Sequence, residues 1–149
     1  MLSYKTAEGR FCVIIFIMAI ENQKLRERFD RVFSTYIRME YAGHDGFAEC
    51  YTCTIRLPWQ ELQCGHFIDR QHSSVRFHEN NCRPQCYDCN MLREGKVDVY
   101  EERLRDDIGD KEVDKLIELG REERSYSNEE YKEEIHKYTL KIREMGGTV

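Results

Sequence analysis

The sequence predicts an α+β fold in which a small zinc-stabilised core is flanked by amphipathic α-helices. Three observations lead there. Two C-x-x-C pairs, Cys50-Tyr51-Thr52-Cys53 and Cys86-Tyr87-Asp88-Cys89, bracket a central segment that lacks helical periodicity. Apolar residues recur every three to four positions on either side of that segment. With 149 residues, 40% hydrophobic content and two prolines, the chain is long enough for one modest core and is neither disordered nor collagen-like.

Residues 11–20 are ten consecutive apolar side chains, well short of the roughly 20 that span a bilayer. As a signal-peptide core the run lacks a small-x-small cleavage site, and its flank mixes Lys5, Glu8 and Arg10. A strand or a buried terminal segment is the plain reading. If translated, the run has to bury against the domain or a second chain. The preferred alternative is a non-native segment, with the functional protein starting at Met18. The chain therefore divides into an N-terminal segment (1–21) and a single domain (22–149). That domain comprises an N-terminal helix (22–49), a zinc-bound core (50–96) and C-terminal helices (97–149).

Leu25, Phe29, Val32, Phe33, Tyr36 and Ile37 form a one-sided helical stripe, ended by turn chemistry over 43–46. Short β-prone pieces follow at 64–68 and 74–77. Helical spacing resumes after Cys86, with Tyr100, Leu104 and Ile108, then Val113, Leu116 and Ile117 up to Gly120. Ser127 and Glu130 make a capping box for a last helix striped by Tyr131, Ile135, Tyr138, Ile142 and Met145.

The formal net charge of −5 speaks against nucleic acid until it is mapped along the chain. Residues 97–149 hold 10 basic and 16 acidic side chains, so the acidity is concentrated there. The centre is near neutral and carries Arg70, Arg76, Arg83 and Arg93, which leaves it able to meet a phosphate backbone. Seven cysteines cannot all pair within one chain, and two C-x-x-C pairs favour an intracellular metal site, hence a cytoplasmic location. Each C-x-x-C turn points two thiolates at one cation. Cys50, Cys53, Cys86 and Cys89 together complete a closed tetrahedral site, best suited to structural Zn²⁺, with iron as the lesser alternative. Cys12, Cys64 and Cys82 are expected as buried free thiols.

Between the knuckles lie His66, His72, His78 and Asn81, and Asn90 follows the last thiol. A histidine late in a strand, an asparagine in the next loop and a His or Asn opening a helix are the parts of a ββα-metal (HNH, treble-clef-like) site. Neutral imidazole can deprotonate water near pH 7, and a hard cation such as Mg²⁺ or Mn²⁺, held by oxygen ligands, neutralises phosphate charge. His44 and His78 are expected to be solvent-exposed.

The run Cys64-Gly65-His66-Phe67, Val75-Arg76-Phe77, Asn81-Cys82, Gln85-Cys86, Cys89-Asn90 and Gly95 resembles the NinG (Rap) recombination proteins of lambdoid phages, over roughly residues 24–145. The arrangement is also similar to the junction-resolving endonucleases of T-even phages. The resemblance implies an HNH-type endonuclease acting in the bacterial host on branched recombination intermediates, including Holliday junctions. It implies His66 as general base, Asn81 as the residue holding the loop and orienting that histidine, and Asn90 as a catalytic-metal ligand. Arg76 is implied as a grip on the scissile phosphate. Where many HNH sites place Asp or His before the base, this chain has Gly65. Either Asp69 supplies the missing carboxylate, or His66 binds the metal and another group, such as His72, is the base. The expected partner is branched DNA, with no membrane, bound by a monomer or a homodimer. The rival function, favoured by Gly65, is a zinc-organised DNA- or protein-binding module without catalysis. A thiol-redox protein is the poorest reading, since neither knuckle sits in a βαβ context.

Overall fold

The protein is described by a computed structural model over residues 7–149, with side chains from residue 12 onward. Residues 1–6 of the expected N-terminal segment lie outside the described residues. The architecture is α+β. A long first helix, α1 (Ala7–Glu40), precedes two small antiparallel sheets, and three further helices close the chain: α2 (Val97–Ile108), α3 (Asp110–Leu119) and α4 (Asn128–Glu144).

The helix expected to begin near residue 22 starts much earlier. Met18-Ala19-Ile20-Glu21-Asn22-Gln23-Lys24 contains no proline or glycine to stop α1, so it runs through the apolar segment unbroken. That segment is therefore helical and is neither a strand nor a buried terminus. The reason is the placement of α4, which lies parallel to α1. Asn22 Nδ2 donates to the Tyr126 carbonyl and to Asn128 Oδ1, both at 2.9 Å. The Phe29 ring stands 6.3 Å from Tyr131, and the Tyr36 ring 4.9 Å from Tyr138. Because α4 begins beside Asn22, the preceding turns of α1 have nothing to lie on. Each side chain from Val13 to Met18 is more than half exposed, so the expected burial of this run against the domain does not occur. Among the described residues no helix is long and apolar enough to cross a membrane.

Below Asn22 the stripe is fully used: Phe29, Val32, Phe33, Tyr36 and Ile37 form one core with Tyr131, Ile135, Tyr138 and Ile142. The capping box on α4 is present, with Glu130 N donating to Ser127 Oγ at 3.2 Å and Ser127 N to Glu130 Oε2 at 2.8 Å.

Strand β1 (Phe47–Glu49) pairs with β2 (Arg56–Pro58), and β3 (Gln63–His66) with β4 (Cys82–Gln85). The β-prone piece expected at 74–77 is instead a series of turns, with Val75 N donating to His72 O and His78 N to Val75 O. Its apolar residues serve two cores. Val75 enters the cluster of Tyr100, Leu104, Val113 and Leu116, whereas Phe77 packs on the α1/α4 cluster. A turn delivers side chains to both, while strand propensity reports only a preference for a half-buried surface. A third cluster, Ala48, Leu62, Cys50, Cys86 and Cys89, surrounds the knuckles.

Glu79, beside the β4 strand, fastens the helix pair by accepting from Tyr138 Oη (2.8 Å), Lys141 Nζ (2.9 Å) and Tyr36 Oη (3.3 Å). Burial raises its carboxyl, but these donors outweigh it and hold the group below the usual 4.5. A carboxyl that titrates lower folded than unfolded stabilises fully above pH 4.5, and the contribution fades as pH falls through the folded value. Thermal unfolding should therefore show a loss of stability below pH 4.5 that Glu79→Gln flattens.

Candidate metal centre and the cleft beside it

The β1–β2 hairpin carries the first knuckle at its turn. Cys50 N donates to Ile55 O at 2.8 Å and Thr54 N to Cys50 O at 2.9 Å, with Thr54 in left-handed backbone (φ 62°). The second knuckle follows β4, where Asn90 N donates to Cys86 O at 3.0 Å. The two are joined by Tyr51 N to Pro84 O at 2.8 Å and by the buried Gln85 amide, which donates to Thr52 Oγ1 (3.0 Å) and Gly95 O (2.8 Å).

All four sulfurs of Cys50, Cys53, Cys86 and Cys89 consequently fall within 4.8 Å of one another. Burial raises the Cys50 thiol, but backbone N–H groups of Cys86, Thr52 and Cys53 prevail and lower it to about 6. Cys53 is pushed up to about 12 by burial and by its thiol neighbours. Four sulfurs at this spacing can share one cation once it displaces their protons, and the donor set suits a soft tetrahedral one. The cluster can hold a metal such as zinc.

On the far side of the β3–β4 hairpin lies a cleft of about 340 Å³ whose lining includes Asp30, Arg38, Gln63, His66, Arg70, Arg76 and Asn90. His66 is half-buried, and burial holds its imidazole below the ordinary 6.5. Its Nε2 is 3.0 Å from the Arg76 carbonyl. A carbonyl only accepts, so Nε2 carries the proton and Nδ1 of the neutral ring keeps its lone pair.

Asn81 is fully buried and fastens the loop over 68–75: its Oδ1 accepts from Ile68 N (2.8 Å), and its Nδ2 donates to Ile68 O (2.9 Å) and Val75 O (3.1 Å). The direct partner of His66 is the Arg76 carbonyl. Asn90 sits on a short wide helix (Asp88–Leu92) and donates Nδ2 to Gln63 Oε1 at 2.7 Å. Arg76 reaches the cleft but is committed: Asp30 takes two of its nitrogens at 2.8 and 2.6 Å, and Arg70 O a third.

Asp69 is exposed, accepts from Gln71 N at 2.8 Å and lies outside the cleft lining. His72 also lies elsewhere, with Nδ1 2.9 Å from Gly120 O. His44 is exposed, whereas His78 is half-buried and accepts from Asn80 N. Of the three expected buried thiols, Cys82 is buried, Cys64 half-buried and Cys12 exposed.

Gly65 has a structural cause. It leaves the hairpin on the face opposite His66, where an added Cβ would collide with the Gln85 side-chain amide. A carboxylate at this position would point away from the cleft. Sequence reasoning missed Asp30, Arg38 and Gln63. Asp30 and Arg76 meet across 46 positions, and no local pattern marks such a pair.

A family model described as Bacteriophage Lambda NinG protein matches residues 18–147. No curated protein and no solved structure matches the chain.

Replacing Asn81 by Ala strands the buried Ile68 N–H and two carbonyls. A loss of about 3 kcal/mol in urea unfolding is expected, with His66→Ala far milder.

Proposed function

We propose, for a chain that belongs to the bacteriophage lambda NinG family, that it is a metal-dependent DNA endonuclease hydrolysing phosphodiester bonds in branched recombination intermediates such as Holliday junctions. The observation that carries this reading is the His66 ring, with Nε2–H tied to Arg76 O and Nδ1 left basic in an arginine-lined cleft. The β3–β4 hairpin followed by the short helix bearing Asn90 agrees with a ββα-metal core.

In this reading His66 Nδ1 takes a proton from water as the water oxygen bonds to phosphorus; the bridging P–O bond breaks, and the leaving oxygen takes a proton from a solvent water. A Mg²⁺ or Mn²⁺ ion would supply charge neutralisation at the phosphate. Asn90 turns its amide N–H to Gln63, and its carbonyl oxygen suits such a hard cation. With Arg76 held by Asp30, phosphate contact passes to the exposed Arg70. Arg26 and Arg124 join Arg70 around the adjoining hollow and extend the basic track. The four-cysteine cluster serves as a structural zinc site fastening the second knuckle, and with it Asn90.

One observation favours the rival reading of a binding module without catalysis. Asp30, the one carboxylate in the described cleft lining, is already spent on Arg76.

Nicking of a synthetic four-way junction with Mg²⁺ or Mn²⁺ separates the two. His66→Ala should abolish nicking while junction binding and tight zinc content persist; binding without cleavage by the unmodified protein would establish the rival. Arg70→Ala should weaken junction binding and reduce its salt dependence by about one phosphate contact. Cys89→Ser should lose the tight zinc and the cooperative melting transition, as followed by metal analysis and circular dichroism.

A further inference from the structure

Three cysteines remain outside the four-thiol cluster, and two of them, Cys64 and Cys82, stand together. Residues 64 and 66 leave β3 on the same side, and Cys82 is directly opposite His66 in the antiparallel register. The donor atoms of Cys64, His66 and Cys82 lie within 4.8 Å of one another. All the described cysteines are free thiols. Cys82 is fully buried behind the cleft, while Cys64 and His66 line it.

The imidazole also has the second contact that a ligand histidine uses. A metal-bound histidine commonly donates its second ring N–H to a carbonyl, which fixes the ring and raises the basicity of the other nitrogen. His66 has that arrangement with Arg76 O at 3.0 Å. Three donors leave a tetrahedral cation one position to fill, and two of them, Cys64 and His66, line the cleft.

We propose that Cys64, His66 and Cys82 form a second metal site, which takes one soft divalent cation of the zinc class and keeps an open fourth position. Binding exchanges two S–H bonds for two sulfur–metal bonds and releases two protons, while the neutral imidazole contributes its Nδ1 lone pair. Mg²⁺, which prefers oxygen donors, does not compete for the two thiolates. The regulatory consequence rests on the reading of His66 as general base. The soft cation takes the lone pair that would accept the proton, so zinc in excess of the structural ion switches the nuclease off.

The test is titration of the full chain with Co²⁺ in place of zinc, following thiolate-to-cobalt charge-transfer absorption. Two equivalents are expected, matching the two donor groups, and one in Cys64→Ser. That variant leaves the buried Cys82 in place, and a melting curve confirms its fold. Cys82→Ala provides a second check, read only if it melts cooperatively. A single equivalent in the unmodified protein, or two in Cys64→Ser, overturns the site. Excess zinc should lower junction nicking by about a hundredfold and leave Cys64→Ser nearly unaffected. Two equivalents with no nicking under any condition would support the metal site while removing the role of His66 as base.

Discussion

In the β3–β4 hairpin His66 stands opposite Cys82 and Gly65 opposite Arg83, and successive side chains leave by opposite faces. One face gives Cys64, His66 and Cys82 to the side packed on α1 and α4. The other gives Gln85 to Thr52 and Gly95, tying the hairpin to the knuckles. A slip of one residue would exchange these sets, sending His66 toward the knuckles and Gln85 into the cleft. Gly65 guards against that slip, because its lack of a side chain is what lets Gln85 lie flat across the strand.

The thiol cluster and the cleft are thus two sides of one small construction. Cys86 and Cys89 follow β4 immediately, and Asn90 follows Cys89. The backbone that brings sulfur to one side brings the amide to the other, with Asn90 N bonded to Cys86 O. The cluster around the knuckles is modest: besides the cysteines, Ala48 and Leu62 are its buried residues. A cation shared by the four sulfurs would supply what burial there does not.

Much of this was legible in the sequence, and for identifiable reasons. The clustering of Cys50, Cys53, Cys86 and Cys89, the stripes of α1 and α4 and the Ser127–Glu130 cap are local patterns, and local patterns survive in one dimension. Of His66, Asn81 and Asn90, which the sequence groups, His66 and Asn90 line one cleft. The missed features depend on distance along the chain. Asp30 gains its meaning from Arg76, the exposure of residues 13–18 from where α4 begins, and the turns at 74–77 from two separate cores. The pairing of Cys64 with Cys82 needed the hairpin register, which neither cysteine announces.

The parallel contact of α1 and α4 also has a temporal side. Asn22 and Asn128 touch across 106 positions, so α1 leaves the ribosome long before the helix that completes it. Until α4 is made, Phe29, Phe33 and Ile37 lack their α4 cover, and the nascent chain presents an apolar helix over that interval. Such non-local closure slows folding and exposes the intermediate to aggregation. A chaperone that shields α1 until α4 emerges would raise the yield of native protein without altering its final stability.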